Sequence, residues 1–82
     1  MSAREPRTFA VLGFATTHDA LTSEQLLKDL GIDVTPIPAP KSLGGALCGI
    51  ALRIEPSDLE RALELLGRAG IEPSGQGTIE DV

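Results

Sequence analysis

The chain has 82 residues, and twelve acidic against seven basic side chains give it a formal charge of −5. That sign, without a Lys/Arg cluster, excludes a nucleic-acid partner held through its phosphates. No apolar run approaches the ~20 residues of a membrane span, and the first residues lack the apolar core of a signal peptide, so we expect a cytoplasmic protein with no membrane partner. We predict one domain over residues 1–82, folded over 8–80 and frayed over 1–7.

The first half of the chain predicts a strand, a helix and a second strand. The β-rich run "TFAVLGF" predicts a strand over residues 8–14. A helix over residues 17–30 follows, with an inward face of Ala20, Leu21, Leu27 and Leu30. A short strand around residues 32–37 is limited by Pro36 and Pro38, which place it at the edge of a sheet.

The second half repeats this order. A strand is predicted over residues 48–54, and a helix begins near Pro56, where Ser57 and Glu60 have the spacing of a capping box. Its apolar stripe comprises Leu59, Ala62, Leu63, Leu66 and Ala69. A weak fourth strand follows Gly70, interrupted by Pro73, Gly75 and Gly77.

An internal repeat links the two halves. The segments "LLKDLGID" and "LLGRAGIE" both read as a last helical turn closed by glycine, at Gly31 and Gly70. A duplicated βαβ unit of this length predicts an α+β, ferredoxin-like βαββαβ sandwich, in which a four-stranded antiparallel sheet carries two helices on one face. The alternative is an α/β sheet of another strand order.

Cys48 is the only cysteine in the chain, which excludes a disulfide framework and a multi-thiolate zinc site, and we predict no cofactor. In the predicted topology, the turn over residues 14–20 and the connection over residues 38–49 share one edge of the sheet. Cys48 should therefore lie near the start of the first helix, whose amides and dipole favour a thiolate. His18, in the first turn, could add a second donor or a positive charge.

A structural role for Cys48 competes with this chemical one. Strand alternation places Cys48 on one face with Ile50, Leu52 and Ile54, which would bury the sulfur. The nearby Gly44, Gly45 and Gly49 instead indicate a loop or bulge. The residues alone leave packing and chemistry equally open.

Four other polar side chains are candidates for a role near Cys48 or on the sheet. Thr16 and Thr17 are suited to capping the first helix. Lys41, in the connection that carries the cysteine, would favour a thiolate as a nearby cation. Arg53 points to the face of the sheet away from the helices. The alternative for both Lys41 and Arg53 is that each is simply a solvent-exposed charge without a role in a site.

Three motifs in order give the chain a family resemblance. Thr16, Thr17 and His18 match an S/T-T-H motif at a helix start, Pro38, Pro40 and Lys41 match P-x-P-[RK], and residues 48–53 match C-G-[IL]-A-[LI]-R. Over residues 8–72 the chain resembles the small bacterial family of selenium/sulfur (Se/S) carrier-like proteins. It departs from that family's pattern before the cysteine, where Gly44, Gly45, Ala46 and Leu47 replace a Ser-rich segment and remove its hydroxyl donors.

The resemblance implies a carrier rather than an enzyme. Cys48 would receive sulfur or selenium as a persulfide or selenopersulfide from a desulfurase-type donor and pass it to an acceptor protein, with His18, Thr16, Thr17, Lys41 and Gly49 around it. The alternative is a non-catalytic ferredoxin-like binding or regulatory module with a structural cysteine, using an open sheet face and exposed edges. Either function is compatible with a homodimer. A redox sensor is disfavoured because no second cysteine could resolve an oxidised Cys48.

Overall fold

The computed structural model describes residues 6–43 and 48–81. The elements follow in the order β1 (Arg7–Gly13), α1 (Thr17–Asp29), β2 (Val34–Pro38), β3 (Ile50–Ile54), α2 (Leu59–Arg68) and β4 (Gly75–Asp81). Short 3₁₀ turns span Lys41–Leu43 and Pro56–Asp58. The strands form one sheet of order β2-β3-β1-β4 in which every neighbouring pair is antiparallel. The predicted ferredoxin-like α+β fold is confirmed.

Both helices end in the same hydrogen-bonded turn, which bears out the sequence repeat. Gly31 and Gly70 have φ angles of 86° and 77°. The amide of Ile32 donates to the Leu27 carbonyl and that of Ile71 to the Leu66 carbonyl, each at 2.9 Å. These are the six-to-one bonds of a Schellman motif, which needs a left-handed residue at the glycine position. The motif returns the chain toward the sheet after each helix.

The core lies between the sheet and the helices, and the predicted inward face of α1 is partly wrong. Ala20 and Leu27 are buried, but Leu21 and Leu30 are 50% and 42% exposed. Ser23 takes the inward place because positions 20, 23 and 27 share one side of a helix, whereas position 21 is rotated about 100° from it. Leu30 is the residue that caps α1 at its C-terminal end.

The start of the second helix also differs from its predicted capping box. Ser57 lies inside the 3₁₀ turn Pro56–Asp58, and α2 begins at Leu59 with no side-chain cap from Asp58. A capping residue needs an extended backbone, which a residue within a helical turn does not have. In α2, Ala62 and Leu66 are fully buried as predicted, while Ala69 is the exposed C-terminal cap.

The fourth strand is more regular than the sequence predicts. β4 pairs with β1 over seven residues, from Arg7 opposite Asp81 to Gly13 opposite Gly75, so the interruption predicted at Gly75 and Gly77 is wrong. β1 itself begins at Arg7, within the segment predicted to fray, and residues 1–5 lie outside the described part of the chain. Glycine is tolerated in this strand because a chain segment approaches it closely.

That segment lies on the face of the sheet away from the helices. A Cβ atom on Gly77 would come 2.8 Å from Leu43 Cδ2, so the turn Lys41–Leu43 rests on β4. Val11 and Ala51, on the same face as Gly77 and Leu43, have no exposed surface. The sheet face away from the helices, which was predicted to be open, is therefore largely covered.

Candidate functional site

Cys48 is attached to the end of β1. Its amide donates a 2.9 Å hydrogen bond to the carbonyl of Phe14, which follows β1 and precedes the N-terminal cap of α1 by two residues. The side chain of Phe14 is fully buried, so the residue that anchors Cys48 belongs to the hydrophobic core. Cys48 consequently lies at the junction of β1 and α1, the edge of the sheet that the predicted topology assigns to it.

Cys48 is half-buried. Cys48 packs against the hydrophobic core between the sheet and the helices. Its Sγ lies 3.5 Å from the carbonyl oxygen of Ile50, to which the thiol donates. A thiolate has no proton for that bond, and S–H is a weak donor. One weak contact thus joins the side chain of Cys48 to the backbone of β3.

Gly49 removes Cys48 from the regular strand. Its φ of 95° lies in the left-handed region, and its carbonyl accepts a 2.9 Å bond from the amide of Ala39. β3 therefore begins at Ile50, which corrects the predicted start at Cys48. Gly49 forms a bend where the strand alternation was expected, so the side chain of Cys48 is not fixed by the pleat of β3.

The S/T-T-H motif forms the first turn of α1. Thr16 is the N-terminal cap, with an extended backbone, and its Oγ1 accepts a 3.1 Å bond from the amide of Asp19. Thr17 is the first helical residue and His18 the second, and both side chains are exposed. The capping role expected for the threonines is thus performed by Thr16.

Lys41, the remaining predicted site residue, lies near the start of the connection, before Cys48 in the chain. Lys41 is exposed in the 3₁₀ turn that rests on β4. Within residues 6–43 and 48–81, neither the His18 imidazole nor the Lys41 ammonium forms a hydrogen bond or ion pair with Cys48 Sγ. Residues 44–47, where the chain departs from the family pattern, lie outside the described residues.

Sequence reasoning missed two features of this edge. One is the Phe14 carbonyl, because backbone partners leave no mark in residue types. The other is an apolar depression of about 290 Å³ beside Cys48, lined by Pro36, Ile37, Pro38, Gly49 and Ile50. The alternating prolines around Ile37 are the signal that could have indicated it, since they confine β2 to an edge and carry apolar rings.

Arg53, the last residue of the cysteine motif, is directed to the other end of the sheet. Its guanidinium lies 4.3 Å from the centre of the Phe9 ring, and Arg7 lies 4.7 Å from the same ring. Arg53 also binds Asp81 of β4 at 2.6 Å. The motif arginine covers the sheet face rather than contacting the sulfur.

In the described part of the chain, no helix has the length and apolar character required to cross a membrane. The family model described as "Putative Se/S carrier protein-like" matches residues 9–76, a segment that includes Phe14, the capped start of α1, Cys48 and both helices. No curated protein and no solved structure matches the chain significantly. The match extends over more than half of the sequence, so the chain belongs to this Se/S carrier-like family.

Proposed function

We propose that this protein carries sulfur or selenium on Cys48 between a donor and an acceptor protein. The observation that carries the proposal is the position of the only cysteine, fixed by the Phe14 carbonyl at the start of α1 with part of its surface exposed. Membership in the Se/S carrier-like family supports it. The working compartment would be the cytoplasm, where reducing conditions keep a lone thiol free.

The transfer is an exchange without net oxidation. The Cys48 thiolate attacks the outer sulfur of a donor persulfide, the S–S bond of the donor breaks, and a new S–S bond forms on Cys48. The donor leaves as a thiolate and takes up the proton that Cys48 lost, so the products are a Cys48 persulfide and a donor thiol. With selenium, the transferred atom is selenium and Cys48 ends as a selenopersulfide. The reverse exchange releases the atom to the acceptor.

The surrounding residues supply the environment for this exchange. The first turn of α1, capped by Thr16 and begun by Thr17, directs amide groups and the positive end of the helix dipole toward this edge. His18 and Lys41 would add positive charge as an anionic sulfur forms, and Gly49 sets the bend that presents it. In this proposal the protein does not turn over a substrate alone; a desulfurase-type enzyme would generate the donor persulfide.

The proposal is tested by loading. The protein is incubated with a cysteine desulfurase and cysteine, and intact mass spectrometry should find one added sulfur atom. Cys48→Ser, which removes only the acceptor sulfur, should abolish the adduct. If no adduct forms under conditions that load an established sulfur carrier, or if Cys48→Ser still gains it, the proposal is wrong.

A second function, that of a metabolite-binding module with a structural cysteine, is favoured by the apolar depression beside Cys48 and by the packing of the sulfur on the core. Its distinguishing property is independence from the thiol. A metabolite that raises the melting temperature of Cys48→Ala as much as that of the unchanged protein would favour the binding module, because a carrier needs its sulfur.

A further inference from the structure

We propose that two copies of this chain associate through the outer edge of β4, antiparallel and related by a two-fold axis, to form one continuous sheet. This interface is independent of the proposed carrier function. The argument concerns the two edges of the sheet, β2 and β4, because an unprotected edge presents unpaired backbone groups that a second strand can bind.

The β2 edge is protected by proline. The Ala39 amide donates inward to the carbonyl of Gly49, so the alternating amides at positions 38 and 36 would point outward. Both positions are proline, which has no amide hydrogen. By the same alternation Val34 is the third outward position of β2, and it alone keeps an amide donor for a further strand.

The β4 edge has no such protection. Its sequence, "GQGTIED", contains neither proline nor a basic residue, and its backbone pairs regularly with β1 from end to end. Within the described ranges of the chain, no strand pairs with its outer side. Gln76, Thr78 and Glu80 are exposed on the helix side of the sheet, the side to which Leu12 of β1 belongs. A seven-residue strand of this kind is long enough to pair with another strand.

For two copies of β4, the positions of its acidic residues favour an antiparallel over a parallel arrangement. When Thr78 faces Thr78 of the other copy, all seven residues pair, and Gln76 lies opposite Glu80 twice. This arrangement separates the like charges at the acidic end, which a parallel pairing of two copies would bring together. Asp81, at the same end, binds Arg53. The register also places Ile79 opposite Gly77 of the neighbouring copy.

The experiment is sedimentation equilibrium over a range of concentrations. The mass should rise from 8.6 kDa toward twice that value. Gln76→Lys creates two pairs of opposite charges with Glu80 and should tighten the dimer by roughly 3- to 30-fold, whereas Gln76→Glu places like charges opposite each other and should weaken it by a similar factor. Gln25→Lys is the matched control. It makes the same change of charge at an exposed position of α1 and should have little effect on dimer affinity.

Gln76→Lys distinguishes a specific interface from misfolding, because a misfolded protein would not gain specific affinity. Circular dichroism checks the fold of each variant. Cys48→Ser should dimerise like the unchanged protein, which separates this interface from an intermolecular disulfide. A chain that remains monomeric at all concentrations overturns the proposal. A dimer that responds equally to Gln76→Lys, Gln76→Glu and Gln25→Lys also overturns it, because the contact then lies elsewhere.

Discussion

Within the described residues, backbone hydrogen bonds fix the main chain at Cys48. Its own amide binds the Phe14 carbonyl, and the carbonyl of the next residue, Gly49, accepts from Ala39. The two bonds attach consecutive residues to β1 and to the end of β2. Residue types in the sequence predict that a bend occurs here, because glycines cluster, but they do not show which carbonyls receive these amides. The position of the sulfur thus depends on one residue with positive φ.

Replacing Gly49 by Ala tests this dependence. A left-handed conformation costs an L-residue about 1–2 kcal/mol, and there is open space around the new methyl group, so the effect is conformational. Gly70→Ala is the matched control, since Gly70 also has positive φ and open space but ends α2. Both variants should lose about 1–2 kcal/mol of stability in chemical denaturation. Only Gly49→Ala should load sulfur more slowly in the desulfurase assay; equal slowing in both would attribute the effect to general destabilisation.

His18 can act on the sulfur only through the shared edge of the sheet. It is exposed in the first turn of α1, two residues after the cap, so its imidazole has freedom to approach an anionic sulfur. His18→Ala should slow alkylation of Cys48 at neutral pH by up to about tenfold, with little effect in strong alkali, where the thiol ionises without assistance. His18→Gln, which keeps a hydrogen-bond donor, separates hydrogen bonding from charge. An unchanged pH–rate profile in a folded His18→Ala protein would remove His18 from the site.

At the level of elements, the described part of the connection between β2 and β3 contacts both β4 and the end of β1. Leu43 rests on Gly77 of β4, and Cys48 binds the end of β1. The sequence predicts that this connection shares an edge with the start of α1, yet it does not predict that its turn Lys41–Leu43 lies on the face of the sheet away from the helices. Gly77 is the sequence feature that corresponds to this contact, because a side chain at position 77 would collide with Leu43.

Truncation of Leu43 measures the contact with β4. Leu43→Ala removes the side chain over Gly77 and should destabilise the protein by about 1–2 kcal/mol, less than the loss of a fully buried leucine. Leu21→Ala is the control, because Leu21 is 50% exposed on α1 and its truncation should change stability by no more than about 0.5 kcal/mol. The measurement is the free energy of unfolding in urea. Equal losses in the two variants would show that Leu43 contributes no packing on β4.

The helices show which element-level features sequence patterns determine. Glycine at the ends of both helices is visible because the Schellman motif needs it, and this repeat predicts the topology correctly. The inward face of α1 is less visible, because the choice between Ser23 and Leu21 depends on the rotation of the helix against the sheet. The capping box at Ser57 fails for a related reason: a 3₁₀ turn at the helix start places Ser57 inside the helical backbone.

For the whole molecule, the duplicated βαβ pattern is sufficient to bring Cys48 to the start of α1. The topology is sufficient because β1 and β2, each antiparallel to β3, run in the same direction and therefore end at the same edge of the sheet. The environment of the sulfur is harder to predict, since its contacts with the core and with the Ile50 carbonyl follow from the bend at Gly49. Sequence therefore locates the candidate site but leaves open whether the fold activates or shelters the thiol.

The most direct test of that choice compares the alkylation rate of Cys48 in the folded protein with the rate in the same chain unfolded by urea, both at neutral pH. The unfolded chain measures the thiol without the helix start, the core or the Ile50 carbonyl. If the site activates the sulfur for transfer, the folded protein should react at least as fast as the unfolded chain, because a larger thiolate fraction offsets its partial burial. A folded protein that reacts far more slowly, and speeds up only as it unfolds, would identify Cys48 as a packing residue and contradict the carrier function.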